Sequence, residues 1–411
     1  MKKPDLSQMT RAAMELTEEV TTRWNARLAG SEACLACGDY LKEKLATFCD
    51  HTDSQEFELR PGAFLGYIRI NITLFFLSLI AMYVQYIGLA TALASLALLI
   101  TVLEFFIYKE FVDFLFPLKK GKNVFGEIEP SGEVKQQIII SAHHDSAHIF
   151  NFLEKEPESY VRRVVGGTLS QFMLFLFTWL LFLIQLMGTP SLTLHWILTG
   201  ILTVAGLSVG RLWFFYAKEG TPGAGDNLVC TALAMEVGKY FASQKAEGKS
   251  LKHTRLIVAS WDAEECGLRG ARAYTKQYKT ELQSLPSYNF NLECMYDHQE
   301  LKFLVSDLNN FVPLSTEMAE ECTQAAKQLG WDMGLVKFPF LAGGTDAAEF
   351  AKIGVEATTL AAMSWTIKAG DIAYHTTRDT IEAVDEEAVS RSIAVAIQYV
   401  LEKDKVSAHG Q

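Results

Sequence analysis

Two long stretches without a charged residue dominate the pattern of hydrophobic and polar positions in this chain. They cover residues 70–103 and residues 164–210. Each is too long for a single membrane helix, because a helix rising about 1.5 Å per residue crosses a bilayer with roughly 20 residues. Each stretch therefore predicts a hairpin of two helices, with turns expected at 85–88 and 187–191.

The second stretch favours a membrane over the core of a soluble protein. Its segment LSQFMLFLFTWLLFLIQLM, residues 169–187, has almost none of the polar stripe that soluble helices carry. Positive charges flank the outer ends of both hairpins and are missing from the turns, which by the positive-inside rule places those ends in the cytoplasm. The flanking residues are Arg60, Arg69, Lys109, Lys119, Lys120, Lys122, Arg162, Arg163, Arg211 and Lys218. The sequence thus predicts a multi-pass membrane protein whose remaining chain is cytoplasmic.

Outside the hairpins, apolar strand-like runs alternate with amphipathic helical segments, which is typical of an α/β domain. The wholly apolar runs 138–140 and 256–259 indicate central strands buried on both faces. Strands are predicted at 55–59, 123–128, 136–143, 254–261, 288–294, 302–306 and 357–362, and helices at 10–28, 31–48, 226–245, 267–281, 315–329 and 384–402. The α/β domain then comprises residues 1–62, 117–161 and 218–411, interrupted by hairpins at 63–116 and 162–217.

Composition and charge limit the kinds of molecule that the protein can bind and the compartment in which it works. Hydrophobic residues make up 49% of the chain and mean hydropathy is +0.12, an excess concentrated in the two hairpins. A net charge of −11 without a clustered basic face excludes a nucleic-acid partner. The seven cysteines are odd in number and scattered, which indicates a reducing compartment rather than a disulfide framework. We interpret the lone CxxC of Cys34 and Cys37 as helix packing.

Polar and ionisable side chains follow the ends of the predicted strands, which is where α/β folds place their functional sites. His143-His144-Asp145 follows one strand, Glu264-Glu265 follows another, and Asp226, Glu293 and His375 stand in the turns or strand ends beside them. Two imidazoles and several carboxylates form a nitrogen-and-oxygen ligand set suited to two zinc ions with a bridging carboxylate.

The spacing within these pairs suggests a division of roles. Of Glu264 and Glu265, one carboxylate can bind metal while its neighbour stays free to take a proton from water. Asp145 lies two residues after His143 and points the same way if the strand continues, so it can orient that imidazole by a hydrogen bond. His144 would then face the opposite side.

In their order and residue identities these motifs resemble those of metallopeptidase family 28, the di-zinc exopeptidases. The family shows AHxDS, GAxDN, EExGLxGS, NxD and yHtxxDT in this order, and the chain has SAHHDS, GAGDN, EECGLRGA, NLE and YHTTRDT. The resemblance covers residues 10–60, 122–148 and 219–402. It implies a three-layer α/β/α zinc-exopeptidase fold with a mixed central sheet.

The resemblance also implies a role for each matching residue. His143, Glu265, Glu293 and His375 would be zinc ligands, and Asp226 would bridge two zinc ions. Glu264 would be the general base and Asp145 the partner of the ligand imidazole, with Asp346 and Thr345 beside the substrate pocket. The chain departs from the family where Glu293 replaces an aspartate, where Ala271 replaces a serine, and where the two hairpins are inserted.

The expected function is a membrane-anchored zinc exopeptidase that hydrolyses peptide bonds with a metal-activated water. Aminopeptidase activity is favoured over carboxypeptidase activity, because a substrate carboxylate calls for a basic clamp, for which only Arg269 and Lys368 are available. One alternative is a glutaminyl cyclase-like zinc aminoacyltransferase, whose relatives lack the EExGLxGS pattern. Another is a non-catalytic receptor or scaffold, whose relatives lose ligands that this chain retains. The expected partners are a peptide substrate and the lipid bilayer, with hairpins that either anchor the enzyme or gate substrate entry.

Overall fold

A mixed β-sheet with helices on both faces forms the centre of the structure, a computed structural model that describes residue 1, residues 3–364 and residues 372–409. The strands are β1 (His51–Leu59), β2 (Lys119–Ile128), β3 (Gln136–His143), β4 (His148–Phe150), β5 (Tyr216–Gly220), β6 (Thr254–Trp261), β7 (Ser287–Met295), β8 (Leu301–Asp307), β9 (Val312–Pro313), β10 (Gly334–Lys337) and β11 (Glu356–Ala362). The large sheet has the order β1-β2-β6-β3-β7-β11-β8-β10, with β9 beside β8, while β4 and β5 form a separate pair.

The middle of the sheet is parallel and almost fully buried, and this fixes where the polar residues meet. Strands β6, β3, β7 and β11 run parallel to one another, whereas β1 pairs antiparallel with β2, β2 with β6 and β8 with β11. Every residue of β3 is buried. Ile138 and Ile140 enter one hydrophobic core while Ile139 enters the other, as the two-residue period of a strand requires. The carboxyl ends of β6, β3 and β7 therefore meet at one edge of the sheet.

Helices cover both faces of this sheet, and further helices form the hairpins. They are α1 (Leu6–Arg23), α2 (Glu32–Leu45), α3 (Gly62–Tyr83), α4 (Ile87–Thr101), α5 (Asn151–Lys155), α6 (Tyr160–Leu186), α7 (Leu192–Arg211), α8 (Val229–Ala246), α9 (Arg269–Gln277), α10 (Lys279–Ser284), α11 (Thr316–Gln328), α12 (Ala347–Ala351) and α13 (Glu386–His409). Helices α1, α2, α8, α11 and α13 contribute to the core on one face, and α9, α10 and α12 to the core on the other. The expected three-layer α/β fold with a mixed sheet is confirmed.

The predicted elements differ from the observed ones mainly where segments are short. Strands β4, β5, β9 and β10 span only two to five residues each and show no alternation that would have predicted them. The helix predicted at 10–28 ends at Arg23, where the chain turns into an irregular segment that holds a buried arginine, Arg27. The helix predicted at 267–281 is divided into α9 and α10.

Helices α3, α4, α6 and α7 form the two hairpins and pack against one another. They share a separate hydrophobic core that includes Phe75, Met82, Leu174 and Leu202. Their outward faces expose large apolar side chains to the surroundings; Leu207, for example, is 72% exposed. Four segments built on these helices, Gly62–Tyr83, Ile87–Phe106, Pro157–Leu186 and Leu192–Phe214, are long and apolar enough to cross a membrane.

A buried ion pair connects the first hairpin to the α/β domain. Asp113 lies in the segment that leads from the hairpin to β2, and its carboxylate pairs with both terminal nitrogens of Arg269, with Nη2 at 3.0 Å from Oδ1. Arg269 also donates to the carbonyls of Cys266 and Arg60. Both partners are largely shielded from solvent. The arginine that we considered as a substrate clamp is thus committed to holding the hairpin.

We expect Asp113→Ala to destabilise the protein, because it leaves the Arg269 guanidinium buried without its counter-charge. Breaking one side of a buried pair costs about 3–5 kcal/mol. Glu110→Ala is the matched control: its carboxylate pairs with Arg272 at 2.9 Å but is 45% exposed, so its loss should cost about 0–1 kcal/mol. Urea titration of both variants in detergent measures the difference, and equal effects would contradict a structural role for the Asp113 pair.

Candidate metal centre

The predicted ligands meet at the carboxyl edge of the parallel strands. His143 is the last residue of β3, and Glu293 lies near the end of β7. Glu264 and Glu265 follow shortly after β6, and Asp226 lies in a short irregular turn, Ala224–Leu228, that leads into α8. His375 comes from the chain between β11 and α13. Segments distant in the sequence thus supply one cluster.

Asp226 lies between two imidazoles and divides the cluster into two groups. Its Oδ1 is 3.3 Å from Nε2 of His143, which is also 3.5 Å from Oε1 of Glu293. Its Oδ2 is 3.2 Å from Nε2 of His375, which is also 3.3 Å from Oε2 of Glu265. The result is two sets of three close nitrogen and oxygen donors that have one carboxylate in common.

The donor atoms are buried and short of hydrogen-bond partners, as expected of atoms that hold a metal. Nε2 of His143, Oδ2 of Asp226, Oε1 of Glu265 and Oε2 of Glu293 make no hydrogen bond among the residues that the structure describes. Leaving a buried polar atom unpaired costs free energy. Imidazole and carboxylate are also the donors that zinc takes in catalytic sites. The residues present therefore fit zinc.

The pKa shifts within the cluster also favour a bound cation. Burial raises the pKa of Glu264 well above its usual range and that of Glu265 to about 7, with repulsion from neighbouring carboxylates adding to both. Burial works against protonation of the two imidazoles, yet the surrounding carboxylates raise the pKa of His143 well above its usual range and that of His375 to about 10. Without a cation, the cluster can relieve its excess of buried negative charge only by binding protons.

Asp145 connects the ligand imidazole to the glutamate pair. Its Oδ1 is 3.2 Å from Nδ1 of His143, the ring nitrogen opposite the one near Asp226. Its two carboxylate oxygens also accept the backbone N–H groups of Glu264 at 3.1 Å and Glu265 at 3.2 Å. Asp145 therefore fixes the orientation of His143 and the position of the glutamates together.

His144 points away from the cluster. Its Nδ1 is 2.9 Å from the hydroxyl of Ser260, and burial, with the nearby charge of Arg27, lowers its pKa to about 3. On the same side, the Cys34 thiol donates to Asp262 at 3.2 Å. Cys34 therefore makes a specific polar contact and does more than pack a helix.

Two residues that sequence reasoning missed hold the loop that carries Asp226. The Asp379 carboxylate accepts the N–H groups of Gly225 at 2.8 Å and Asp226 at 3.3 Å. Arg27, fully buried, donates to the carbonyls of His144 and Pro222, both at 2.8 Å. Asp379 stands in the YHTTRDT motif, so its position was a signal for it. Arg27 lies in no motif, and only the tertiary structure reveals its role.

The residues expected beside the substrate pocket lie close to the cluster but differ in exposure. Thr345 lines a cavity above the metal centre, and its hydroxyl bonds Asp307 at 2.6 Å and Thr359 at 2.7 Å. Asp346 is fully buried, and neither of its oxygens has a hydrogen-bond partner among the described residues. Lys368, the second residue considered as a clamp, lies outside the described residues.

The cavity has a volume of about 1150 Å³. Its walls include Asp226, Glu264, Glu265, Glu293 and His375 on one side and residues of α3, α6 and α7 on another. Such a volume exceeds the roughly 300–1,000 Å³ typical of small-molecule sites. The metal centre thus opens into a space that the hairpins help to enclose.

Comparison with known proteins gives one family and one fold. Residues 208–400 match the family model described as Peptidase family M28. A leucine aminopeptidase precursor from Bacteroides thetaiotaomicron has a TM-score of 0.56 at 11% identity, covering 95% of this chain and 96% of that one. A zinc aminopeptidase from Bacillus subtilis has a TM-score of 0.56 at 13% identity, covering 96% and 95%. A glutaminyl cyclase from Bacteroides thetaiotaomicron has a TM-score of 0.56 at 11% identity, covering 95% and 97%. No curated protein matches the chain.

We expect Asp379→Asn to weaken zinc binding by about tenfold, because loss of an outer partner of a metal site typically costs 10–100-fold in affinity. The amide presents one acceptor oxygen where the carboxylate presents two to the N–H groups of Gly225 and Asp226. Competition titration with a zinc-sensitive dye measures the change, with Asp332→Asn on an exposed loop as the control. An unchanged zinc affinity would show that Asp379 does not position Asp226.

Proposed function

We propose, from the membership of residues 208–400 in Peptidase family M28, that this protein is a membrane-anchored di-zinc aminopeptidase. The observation that carries the proposal is the pair of three-donor sets that share Asp226. His143, Asp226 and Glu293 would hold one zinc ion, and Asp226, Glu265 and His375 the other. Glu264 belongs to neither of these two sets, although it also lies in a group with His143 and Glu265, and we assign it to proton transfer.

The chain's own residues supply orientation and a proton carrier. Bound zinc would act as a Lewis acid on the scissile carbonyl and lower the pKa of water from 15.7 toward about 7. Glu264 lies 3.8 Å from Nε2 of His143 and lines the cavity. Its carboxylate would accept the proton of the attacking water and return it to the leaving nitrogen. Asp145 keeps Nε2 of His143 directed at the site by engaging its other ring nitrogen.

The charge of the cavity supports a substrate with a free amine. Outside the two ligand sets and Glu264, the described lining residues carry one guanidinium, Arg378, and the carboxylates of Asp297, Glu300 and Glu382. Of these carboxylates, Glu300 is paired with Lys302 at 2.6 Å. Arg378 is already engaged, since it donates to the carbonyl of Ile372 and lies 3.7 Å from Glu154. An ammonium group is attracted to such a surface and a carboxylate is repelled. Aminopeptidase activity is therefore favoured over carboxypeptidase activity.

Glutaminyl cyclase activity is the second candidate, because solved glutaminyl cyclases share this fold at the same TM-score as the aminopeptidases. Cyclisation of an amino-terminal glutamine needs a single zinc ion. The second donor set, formed by Asp226, Glu265 and His375, favours hydrolysis. Incubation with a peptide that begins with glutamine separates the two activities, since cyclisation loses ammonia whereas hydrolysis releases free glutamine.

We further propose that the hairpins anchor the enzyme in a bilayer, with the α/β domain in the cytoplasm. Support comes from the length and apolarity of the four helices and from the positive residues at their outer ends. The protein should remain in the membrane pellet after an alkaline carbonate wash. In inside-out vesicles, added protease should digest the α/β domain, and in right-side-out vesicles it should not. Recovery of the chain in the wash supernatant would contradict anchoring.

We expect Glu264→Gln to retain zinc and lose activity by about 10²–10⁴-fold, because the amide cannot carry the proton. Zinc content by elemental analysis and cleavage of alanine p-nitroanilide measure the two effects. Asp226→Asn should instead reduce the zinc content, since its carboxylate serves both donor sets.

Exposed Glu317→Gln serves as the control for surface charge and should change neither quantity. A chelator should abolish activity in the wild-type protein and added zinc should restore it. Full activity of Glu264→Gln, or activity that survives removal of zinc, would refute the proposed mechanism.

A further inference from the structure

The cavity over the metal centre continues between helices that are themselves candidates for crossing the membrane. From α3 it is lined by Leu65, Ile68 and Ile72, and from α6 by Val161, Val164 and Val165. Part of this wall is open to the surroundings of the helices, since Val161 is 52% exposed. One cavity thus joins the proposed catalytic carboxylate, Glu264, to aliphatic side chains in the first turns of two candidate membrane helices, α3 and α6.

We infer that the substrates of this enzyme are hydrophobic peptides taken from the bilayer, with the residues that follow the cleaved bond lying between α3 and α6. The inference rests on the proposed aminopeptidase function. It adds a substrate class, because the hairpins and not the α/β domain would select the peptide.

The cavity is larger than the space that one amino-terminal residue fills. An aminopeptidase needs room for one amino-terminal residue at its metals, and a cavity of about 1150 Å³ holds a ligand several residues long. The walls contributed by α3 and α6 are largely apolar, and burying apolar side chains against them is favourable by about 25 cal/mol per Å² of area removed from water. A polar peptide would gain none of this and would lose its hydration.

The distribution of charge along the cavity determines which end of the peptide would lie at the metals. Asp297, Glu300 and Glu382 line the cavity together with the metal ligands, so a free amino terminus is attracted there. The largely apolar wall of α3 and α6 carries no charge at the residues that line the cavity. An amino terminus at the metals and an apolar remainder toward the helices match this distribution.

Three polar side chains within the hairpins favour a peptide over a plain hydrocarbon chain. Asn71 donates to the Thr101 hydroxyl at 2.8 Å, and Thr101 contacts Oε1 of Gln171 at 3.4 Å. All three line the cavity. Oδ1 of Asn71 and Nε2 of Gln171 have no hydrogen-bond partner among the described residues. An extended peptide brings one N–H and one C=O per residue into an apolar space, where each needs such a partner.

The test compares substrates that share the same first residue, so that the pocket for this residue contributes equally. Zinc-loaded wild-type protein in lipid nanodiscs is given the amides of Ala-Leu-Leu-Leu and Ala-Ser-Ser-Ser, and alanine dodecylamide as a hydrocarbon probe. Release of alanine is followed by mass spectrometry. We expect kcat/KM for the leucine peptide to exceed that for the serine peptide by about tenfold or more, and to exceed that for the dodecylamide.

Variants separate selection by the cavity from simple enrichment of hydrophobic peptides in the lipid, since enrichment is the same for every variant. Thr168→Trp fills the cavity from α6, because Thr168 is among its lining residues. Leu169→Trp is the matched control on the same helix; it is 56% exposed and does not line the cavity. The preference for leucine over serine should fall about tenfold in Thr168→Trp and stay within about twofold of wild type in Leu169→Trp.

The possible outcomes distinguish failure of the proposed aminopeptidase function from failure of the inference about its substrates. Zinc content and circular dichroism report whether each variant is folded, and Val164→Phe, a smaller change in the same wall, replaces Thr168→Trp if that variant fails to fold. Failure to cleave any of the three substrates would refute the proposed function. Cleavage without a preference for leucine, or a preference that both tryptophan variants retain, would refute only the inference. A higher kcat/KM for the dodecylamide than for the leucine peptide would also overturn it, because a lipid-like amide would then be the better substrate.

Discussion

The rest of the structure depends on the burial of Asp226 between two imidazoles, His143 and His375. A buried carboxylate at this position gives both imidazoles a common partner, and further carboxylates on either side leave the cluster with more negative charge than the two rings can balance. Such an arrangement is stable only with cations or bound protons. The surrounding hydrogen bonds of Asp145, Asp379 and Arg27 hold the backbone segments that bring these charges together.

The second hairpin interrupts the chain between His143 and Asp226, yet these two side chains lie 3.3 Å apart. Strands β4 and β5 explain this, because they pair antiparallel at the point where the chain leaves for the hairpin and returns from it, with His148 opposite Gly220. Arg27 adds a second closure by binding carbonyls on both sides of the insertion. The two ends of the insertion are therefore held together at its base. The helices beyond it can pack among themselves without moving the site.

The hairpins do more than extend from the α/β domain, since they supply part of the wall of the cavity over the candidate metal centre. A site enclosed in this way excludes water from one side and presents aliphatic surface next to polar chemistry. Here the geometry places the carboxyl edge of the sheet against helices suited to lipid, so the route to the site and the chemistry within it are supplied by different layers of the molecule.

The sequence by itself determined the α/β class, the apolar hairpins and the residues of the site, because these leave local signals: two-residue and helical periodicity, uncharged runs, and motifs at strand ends. Only the tertiary structure decided how the donors divide into two sets around Asp226, and that Arg269 is bound to Asp113 instead of reaching a substrate. It also decided the role of Arg27 and the shape of the cavity. These features depend on contacts between segments far apart in the chain, and no periodicity within a segment encodes them.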